Sequence, residues 1–122
     1  MNVLVADDDE DIRELTVQLF GRRGWTVETA CTGEEALRAL DSERFDVAVL
    51  DQDMPPVSGL EVAAARRLAG DTIPIVLWTG WGGLVDRVEA ERLHVVVVNK
   101  AEVARLATVV AELAEHQEGL SS

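Results

Sequence analysis

Cysteine is nearly missing from this sequence, and its scarcity excludes an internal disulfide framework. The chain has 122 residues and a single cysteine, Cys31. A lone thiol has no partner within the chain, and this usage is typical of a reducing compartment, so we expect a cytoplasmic protein. At 48% hydrophobic residues, the chain has enough apolar material for one domain with a sizeable core.

Long apolar runs and an excess of basic residues are missing as well. No run approaches the length of a transmembrane helix. Asp7, Asp8 and Asp9 interrupt the N-terminus after a few apolar residues, which argues against a signal peptide. With 23 acidic and 11 basic residues, the formal net charge is −12. This balance argues against nucleic acid and against anionic membranes as direct partners.

What is present is an alternation of five strand patterns and five helix patterns. Short apolar runs without polar alternation are typical of strands buried on both faces of a parallel sheet. The predicted strands span 2–6, 25–30, 47–50, 75–78 and 95–98. The predicted helices span 10–23, a segment after Thr32, 59–68, a short segment ending near 92, and 101–115. Gly24 is the expected end of the first helix, Thr32 and Glu35 have capping-box spacing, and Gly82-Gly83 loosens the entry to the fourth helix.

This alternation predicts an α/β fold with a parallel sheet of five strands and with five helices, and right-handed crossovers leave few topologies. Among these we expect the flavodoxin-like doubly wound order 2-1-3-4-5, which is the order of known proteins with this alternation. We expect one domain over residues 1–116 and a polar, frayed tail over residues 117–122. Met1 is expected to be the natural start. Whether the domain stands alone or comes from a longer protein is left open.

The stretch from Phe45 to Pro56 organises the prediction of a site. Its buried run, 47–50, ends directly at Asp51, and Pro55 and Pro56 prevent the strand from continuing in the sheet. Asp51 should therefore lie at the carboxyl end of a central strand, where ligands bind in open α/β sheets.

The predicted strand order brings further polar residues to the same edge. Strands one and three are neighbours, so Asp7 and Asp8 should lie next to Asp51, while Thr79 and Lys100 end strands four and five. Taken singly, each of these residues is more simply interpreted as a turn, strand-end or surface residue. Together, however, each pair of carboxylates at ~5 Å and an effective dielectric of ~20 repels by roughly 3 kcal/mol. That cost favours a cation site.

The ordered motifs are similar to those of one known family. They are the segment 3–9 ending in Asp7-Asp8-Asp9, the segment 50–55 with Gly59, the Thr79-Gly80 pair, and Lys100. Over nearly all its length, the chain resembles a response-regulator receiver domain. The resemblance implies a phosphorylatable module of a two-component (phosphorelay) system, a signalling switch rather than a classical enzyme.

The resemblance also implies a role for each site residue. Asp51 would accept a phosphoryl group from a histidine kinase or a histidine phosphotransfer protein, Lys100 would hold a phosphoryl oxygen, and Thr79 would turn its hydroxyl toward the phosphoryl group. Self-phosphorylation and autodephosphorylation would depend on Mg²⁺ or Mn²⁺. The metal ligands would be Asp8 directly, Asp7 through water, the Asp51 carboxylate and the backbone carbonyl of Asp53. The downstream partner, and a phosphorylation-dependent homodimer, are left open.

Four residues depart from the family pattern. Ala101 follows Lys100 where proline is usual, Val97 replaces an aromatic switch residue, Asp53 adds a carboxylate, and Pro56 replaces glycine. We predict a trans Lys100–Ala101 peptide, because a cis bond before alanine costs about 2.5–4 kcal/mol, with Lys100 still directed at Asp51.

Two aromatic residues flank Thr79 in the sequence. We expect Trp78 and Trp81 to be half-exposed walls of the site. Two alternative functions also remain. One is a receiver-like interaction module that works without phosphorylation. The other is a haloacid-dehalogenase-type phosphatase, suggested by the Asp51-Gln52-Asp53 spacing.

Overall fold

The computed structural model describes residues 1–80 and 85–121, in which five strands alternate with five helices. The strands are β1 (Asn2–Ala6), β2 (Thr26–Ala30), β3 (Val47–Asp51), β4 (Ile75–Thr79) and β5 (Val95–Asn99). The helices are α1 (Glu10–Gly21), α2 (Gly33–Ser42), α3 (Gly59–Leu68), α4 (Arg87–Arg92) and α5 (Val103–Ser121). Each strand lies within one residue of its predicted bounds.

All strands are parallel, and their order is β2-β1-β3-β4-β5, which confirms the predicted fold class. The register sets Ala6 beside Leu50, and Asp51 beside Trp78. The residues that follow β1 therefore emerge next to the end of β3. This alignment of strand ends positions the site described below.

Two apolar clusters sandwich the sheet because successive strand residues point to opposite faces. On one face, Leu4, Leu50 and Leu77 pack with residues of α2, α3 and α4. On the other face, Val5, Val49 and Trp78 pack with residues of α1 and α5, among them Phe20 of α1 and Leu106 of α5. All five residues of β3 are buried, as expected for the central strand of a sheet covered on both sides.

The ends of two helices differ from the prediction. α1 ends at Gly21, two residues early, and Gly24 adopts a left-handed conformation (φ 79°) in the following turn. α5 begins at Val103 rather than at Ala101, because the Ala101 N–H donates to the Asn99 side chain in a preceding turn. The backbone of α5 is helical to Ser121 and so includes most of the segment predicted as a tail.

The predicted capping box at Thr32 is present only in part. The Thr32 hydroxyl accepts a hydrogen bond from the Glu35 N–H, but the Glu35 carboxylate accepts from the Cys31 N–H instead of from that of Thr32. A complete capping box occurs at α3 instead, between Ser58 and Glu61.

The predictions for Trp81 and for Gly82-Gly83 lie outside the described residues. Across the described ranges, no helix combines the length and the apolarity needed to cross a membrane.

Candidate functional site

A cavity of about 550 Å³ opens at the carboxyl edge of the sheet. The ends of β1, β3, β4 and β5 all contribute to it, as the predicted strand order requires. In the described part of the chain it is lined by Asp7, Asp8, Asp9, Asp51, Gln52, Asp53, Ser58, Thr79, Gly80 and Lys100. The lining includes each residue predicted as acceptor, metal ligand or phosphoryl contact, but not Trp78.

Three carboxylates meet in this cavity. Oxygen atoms of Asp7, Asp8 and Asp51 lie within 4.8 Å of one another. Asp7 is 1% exposed and Asp51 is 4% exposed, whereas Asp8 faces solvent. Turn amides partly satisfy the buried pair. The Asp9 N–H donates to Asp7 Oδ1 at 2.9 Å, and the Asp53 N–H donates to Asp51 Oδ1 at 3.2 Å.

Lys100 brings a positive charge to the buried carboxylates. Its Nζ lies 2.7 Å from Asp7 Oδ2 and 3.3 Å from Asp51 Oδ1. The contact with Asp7 is a close ion pair that gives the buried Oδ2 its positively charged neighbour. The peptide after Lys100 is trans, since Pro55–Pro56 is the cis bond of the described chain. The predicted orientation of the lysine therefore occurs with a trans bond.

The surroundings shift the pKa of both partners. Burial, and next the charge of Asp7, raise the pKa of Asp51 to about 6, against the opposing effects of the Asp53 N–H and Lys100. Burial alone would lower the pKa of Lys100, but the nearby Asp7 and Asp51 carboxylates raise it above its ordinary value. Lys100 therefore stays protonated, while Asp51 is harder to ionise than an ordinary aspartate.

Thr79 and Asp53 complete the predicted set. Thr79 is buried at the end of β4, and its carbonyl accepts the Lys100 N–H at 2.8 Å, which ties β4 to the lysine. Asp53 is exposed, and its backbone lies in the turn directly after Asp51. Val97 is half-buried and packs against the core on the α2–α4 side of the sheet.

The prediction for Trp78 was wrong. Trp78 is 1% exposed and packs into the α1–α5 cluster instead of forming a half-exposed wall. Consecutive residues of a strand point to opposite faces. Trp78 therefore faces α5, although its sequence neighbour Thr79 lines the cavity.

Sequence reasoning overlooked how the start of α3 supports the site. The Gln52 side chain accepts the Leu60 N–H at 2.8 Å, and Ser58 caps the helix from within the cavity lining. Gly59 lets the helix approach β3, since a Cβ there would lie 2.5 Å from the Asp51 carbonyl oxygen. The spacing of Ser58 and Glu61 is a capping signal that could have indicated this arrangement.

A family profile, described as the response regulator receiver domain, matches residues 3–111. The curated relatives include the response regulator MprA of Mycobacterium ulcerans, 41% identical over 88 residues. That alignment covers 72% of this chain and 38% of the relative. MprA of Mycobacterium tuberculosis is 40% identical over 88 residues, which again cover 72% of this chain and 38% of the relative. The chain thus spans about two fifths of the length of these relatives.

Solved structures show the same similarity. The response regulator TrrA of Thermotoga maritima, solved in complex with Mg²⁺-BeF, is 33% identical with a TM-score of 0.83, covering 92% of this chain and 97% of that one. The chemotaxis protein CheY4 of Vibrio cholerae is 28% identical with a TM-score of 0.76, covering 89% and 97%. A Francisella response regulator receiver domain has a TM-score of 0.88 at 24% identity over 95% and 98%, and supports the fold alone.

Proposed function

The chain belongs to the response-regulator receiver domain family, and we propose that it is a phosphorylatable switch that accepts a phosphoryl group on Asp51. The family is a signalling module rather than a classical enzyme. One observation carries the proposal for this chain: a buried Asp51 lies among two further carboxylates, with the Lys100 ammonium 3.3 Å from its Oδ1.

The residues of the cavity fit a divalent cation. Mg²⁺ takes oxygen ligands from one or two carboxylates and keeps several waters. Here the carboxylates of Asp7, Asp8 and Asp51 converge, with ligand oxygens within 4.8 Å of one another. We assign Asp8 and Asp51 as direct ligands, Asp7 as a ligand through water, and the Asp53 carbonyl as a further ligand. A bound Mg²⁺ or Mn²⁺ would supply charge neutralisation during transfer, as the complex of TrrA with Mg²⁺-BeF suggests.

The side chains of this site divide the work of phosphoryl transfer. A carboxylate oxygen of Asp51 attacks the phosphorus of a phosphohistidine, and the P–N bond breaks. Its electron pair leaves with the donor imidazole, which takes up a proton, and an acyl phosphate remains on Asp51. Lys100, already beside Asp51, holds a phosphoryl oxygen, and the Thr79 hydroxyl donates a hydrogen bond to another. Preorganised charges of this kind act without reorganising during the step.

The partners follow from the same chemistry. We propose a histidine kinase or a histidine phosphotransfer protein as donor, in the cytoplasm. The net charge of −12 argues against nucleic acid and anionic membranes as direct partners. The curated relatives are more than twice as long as the matched segment, so an effector region in the whole protein belongs to the proposal. We also propose that phosphorylation promotes a homodimer.

The test is to incubate the protein with Mg²⁺ and acetyl phosphate and then weigh it intact. We expect one added phosphoryl group that is lost in mild base, as an acyl phosphate is. Asp51→Asn should take up none. Asp46→Asn changes the charge equally at the opposite end of β3 and should be labelled like the wild type. Labelling that persists in Asp51→Asn would reject Asp51 as acceptor, and an unlabelled wild type would favour the module that works without phosphorylation. Steady turnover of a phosphate monoester would favour the phosphatase.

A further inference from the structure

Lys100 is the only lysine in the chain, and its ammonium lies over the ring of Trp78. The distance from Nζ to the ring centroid is 5.8 Å. The face of an indole ring carries negative potential, and a cation within about 6 Å of it is attracted, more strongly where water is excluded. Trp78 is 1% exposed, so this contact is shielded on the ring side.

The backbone around Lys100 leaves its long side chain to be positioned by other groups. The Lys100 N–H is held by the Thr79 carbonyl at 2.8 Å, but five single bonds separate Cα from Nζ. Ala101 restricts the backbone after the lysine much less than a proline would. The ammonium is thus located by three contacts: Asp7, Asp51 and the ring of Trp78.

These three contacts differ in what happens to them during phosphoryl transfer. Both carboxylates belong to the metal and phosphoryl chemistry, so their ion pairs with Lys100 must loosen as a phosphoryl oxygen takes their place. The indole ring takes no part in that exchange. It can hold the ammonium throughout the step.

We propose that Trp78 is a positioning residue that holds the Lys100 ammonium beside Asp51 through the face of its ring. The role rests on the proposed function, in which Lys100 holds a phosphoryl oxygen. The packing of Trp78 against the core near Val98 and Leu106 fixes the ring plane. The indole Nε1–H is buried without a hydrogen-bond partner in the described part of the chain, so packing, not a hydrogen bond of its own, orients this ring.

The first measurement does not depend on phosphorylation. Labelling with ¹³Cε-lysine gives a single ε-methylene signal, that of Lys100, in metal-free protein. A ring face next to Nζ should shift the ε-methylene protons upfield and give a nuclear Overhauser effect to the indole. Trp78→Leu should return the signal to the random-coil position, and Trp78→Phe should keep part of the shift. A wild-type signal at the random-coil position would overturn the proposal.

The second measurement is the rate of phosphorylation by acetyl phosphate. We expect Trp78→Leu to lower the rate about threefold to tenfold, the range of a partly shielded cation–π contact, and Trp78→Phe to recover most of it. Val110→Ala removes volume from the same apolar cluster but leaves the ring, so it should change neither the lysine signal nor the rate. If the rate falls equally in Val110→Ala and Trp78→Leu, Trp78 acts only through core packing, and the proposed positioning role is wrong. If the wild type takes up no phosphoryl group but its Lys100 signal is shifted upfield, the proposed function is wrong, whereas the contact between Lys100 and Trp78 is confirmed.

Discussion

Burial and the charge of Asp7 disfavour the ionised form of Asp51. Together they raise its pKa from 3.8 to about 6. A carboxyl group with a raised pKa in the folded state binds protons more tightly there than in the unfolded chain. Its contribution to stability is complete below about pH 3.8 and is lost as the pH rises through about 6. Asp51 therefore destabilises the metal-free fold at neutral pH.

Replacing Asp51 by asparagine should remove this pH-dependent loss. In the presence of EDTA, Asp51→Asn should be more stable than the wild type by about 1–3 kcal/mol at pH 7 and nearly equal at pH 4. Urea denaturation at the two pH values measures the difference. Asp46→Asn serves as the control for charge: Asp46 is exposed and directly precedes β3, and asparagine keeps an oxygen that can accept the Asn2 N–H. A gain for Asp51→Asn that is the same at both pH values would contradict the burial of an ionised Asp51.

Gly59 sets how closely α3 approaches Asp51. A Cβ at this position would lie 2.5 Å from the Asp51 carbonyl oxygen and 2.8 Å from a Leu77 methyl group. Gly59→Ala should therefore cost about 1–3 kcal/mol through overpacking. Gly21→Ala is the matched control, because nothing lies within 4 Å of its Cβ position and alanine is favoured in a helix by up to about 1 kcal/mol. Thermal denaturation should shift in opposite directions for the two variants, and a neutral Gly59→Ala would refute the close approach.

At the scale of elements, strands were easier to predict than helix ends. A strand of this sheet is a short apolar run between turn residues, and burial on both faces leaves little freedom in its bounds. A helix end depends on which groups satisfy its last N–H or C=O groups. Asn99 engages the Ala101 N–H and delays α5, and Glu35 engages Cys31 rather than Thr32. At the start of α5 and at the start of α2, the sequence pattern is compatible with the predicted hydrogen bonds and with the observed ones.

Arg67 joins α3 to the turn between α4 and β5. Its guanidinium donates to the carbonyls of Leu93 at 2.8 Å and of Asp71 at 2.9 Å, and more weakly to that of His94 at 3.5 Å. His94 has a positive φ of 54° and ends the turn after α4. Burial lowers the pKa of Arg67, against the charge of Asp71, as expected for a cation that is partly withdrawn from water.

Arg67→Met should leave these carbonyl groups without their donor. We expect a loss of about 2–4 kcal/mol, since hydrogen bonds to charged groups contribute about 1.5–3 kcal/mol each and only part of the loss is recovered by water. Arg105→Met is the control, because Arg105 of α5 pairs with Glu102, the residue before the helix, at the surface, and such pairs contribute under about 1 kcal/mol. Urea denaturation measures both, with amide exchange at Val95 as a local readout. Equal losses in the two variants would show that Arg67 does not brace the turn.

For the whole molecule, the strand order determined how much of the site could be predicted. Once β1 and β3 are neighbours, Asp7 and Asp8 must emerge beside Asp51, and the register confirms that alignment. Trp78 lies near the site, with its ring 5.8 Å from Lys100 Nζ, but it was wrongly predicted to be half-exposed, because its strand sends it to the face covered by α1 and α5 and sends Thr79 to the other. Gln52 was overlooked because its role depends on where α3 begins relative to β3, which no local pattern specifies.

The net charge of −12 and the carboxylate cluster both predict that cations stabilise the fold, but by different routes. General screening acts on all surface charges and depends on ionic strength. Binding in the cavity acts through Asp7, Asp8 and Asp51 and follows the occupancy of one site. A variant that removes one site carboxylate separates the two routes.

We predict that Mg²⁺ stabilises the protein beyond the effect of NaCl at matched ionic strength. If the dissociation constant is about 1 mM, then ~10 mM Mg²⁺ adds roughly 1.4 kcal/mol by mass action, which for a domain of this size raises the melting temperature by about 4–7 °C. Asp8→Asn and Glu112→Gln each remove one negative charge, Asp8 from the cavity and Glu112 from the exposed side of α5. Asp8→Asn should lose most of the Mg²⁺ response, because the ion then has one fewer charged ligand, whereas Glu112→Gln should keep it. Responses of the same size in both variants would show that Mg²⁺ acts by screening alone and would remove the support for a metal site at Asp8.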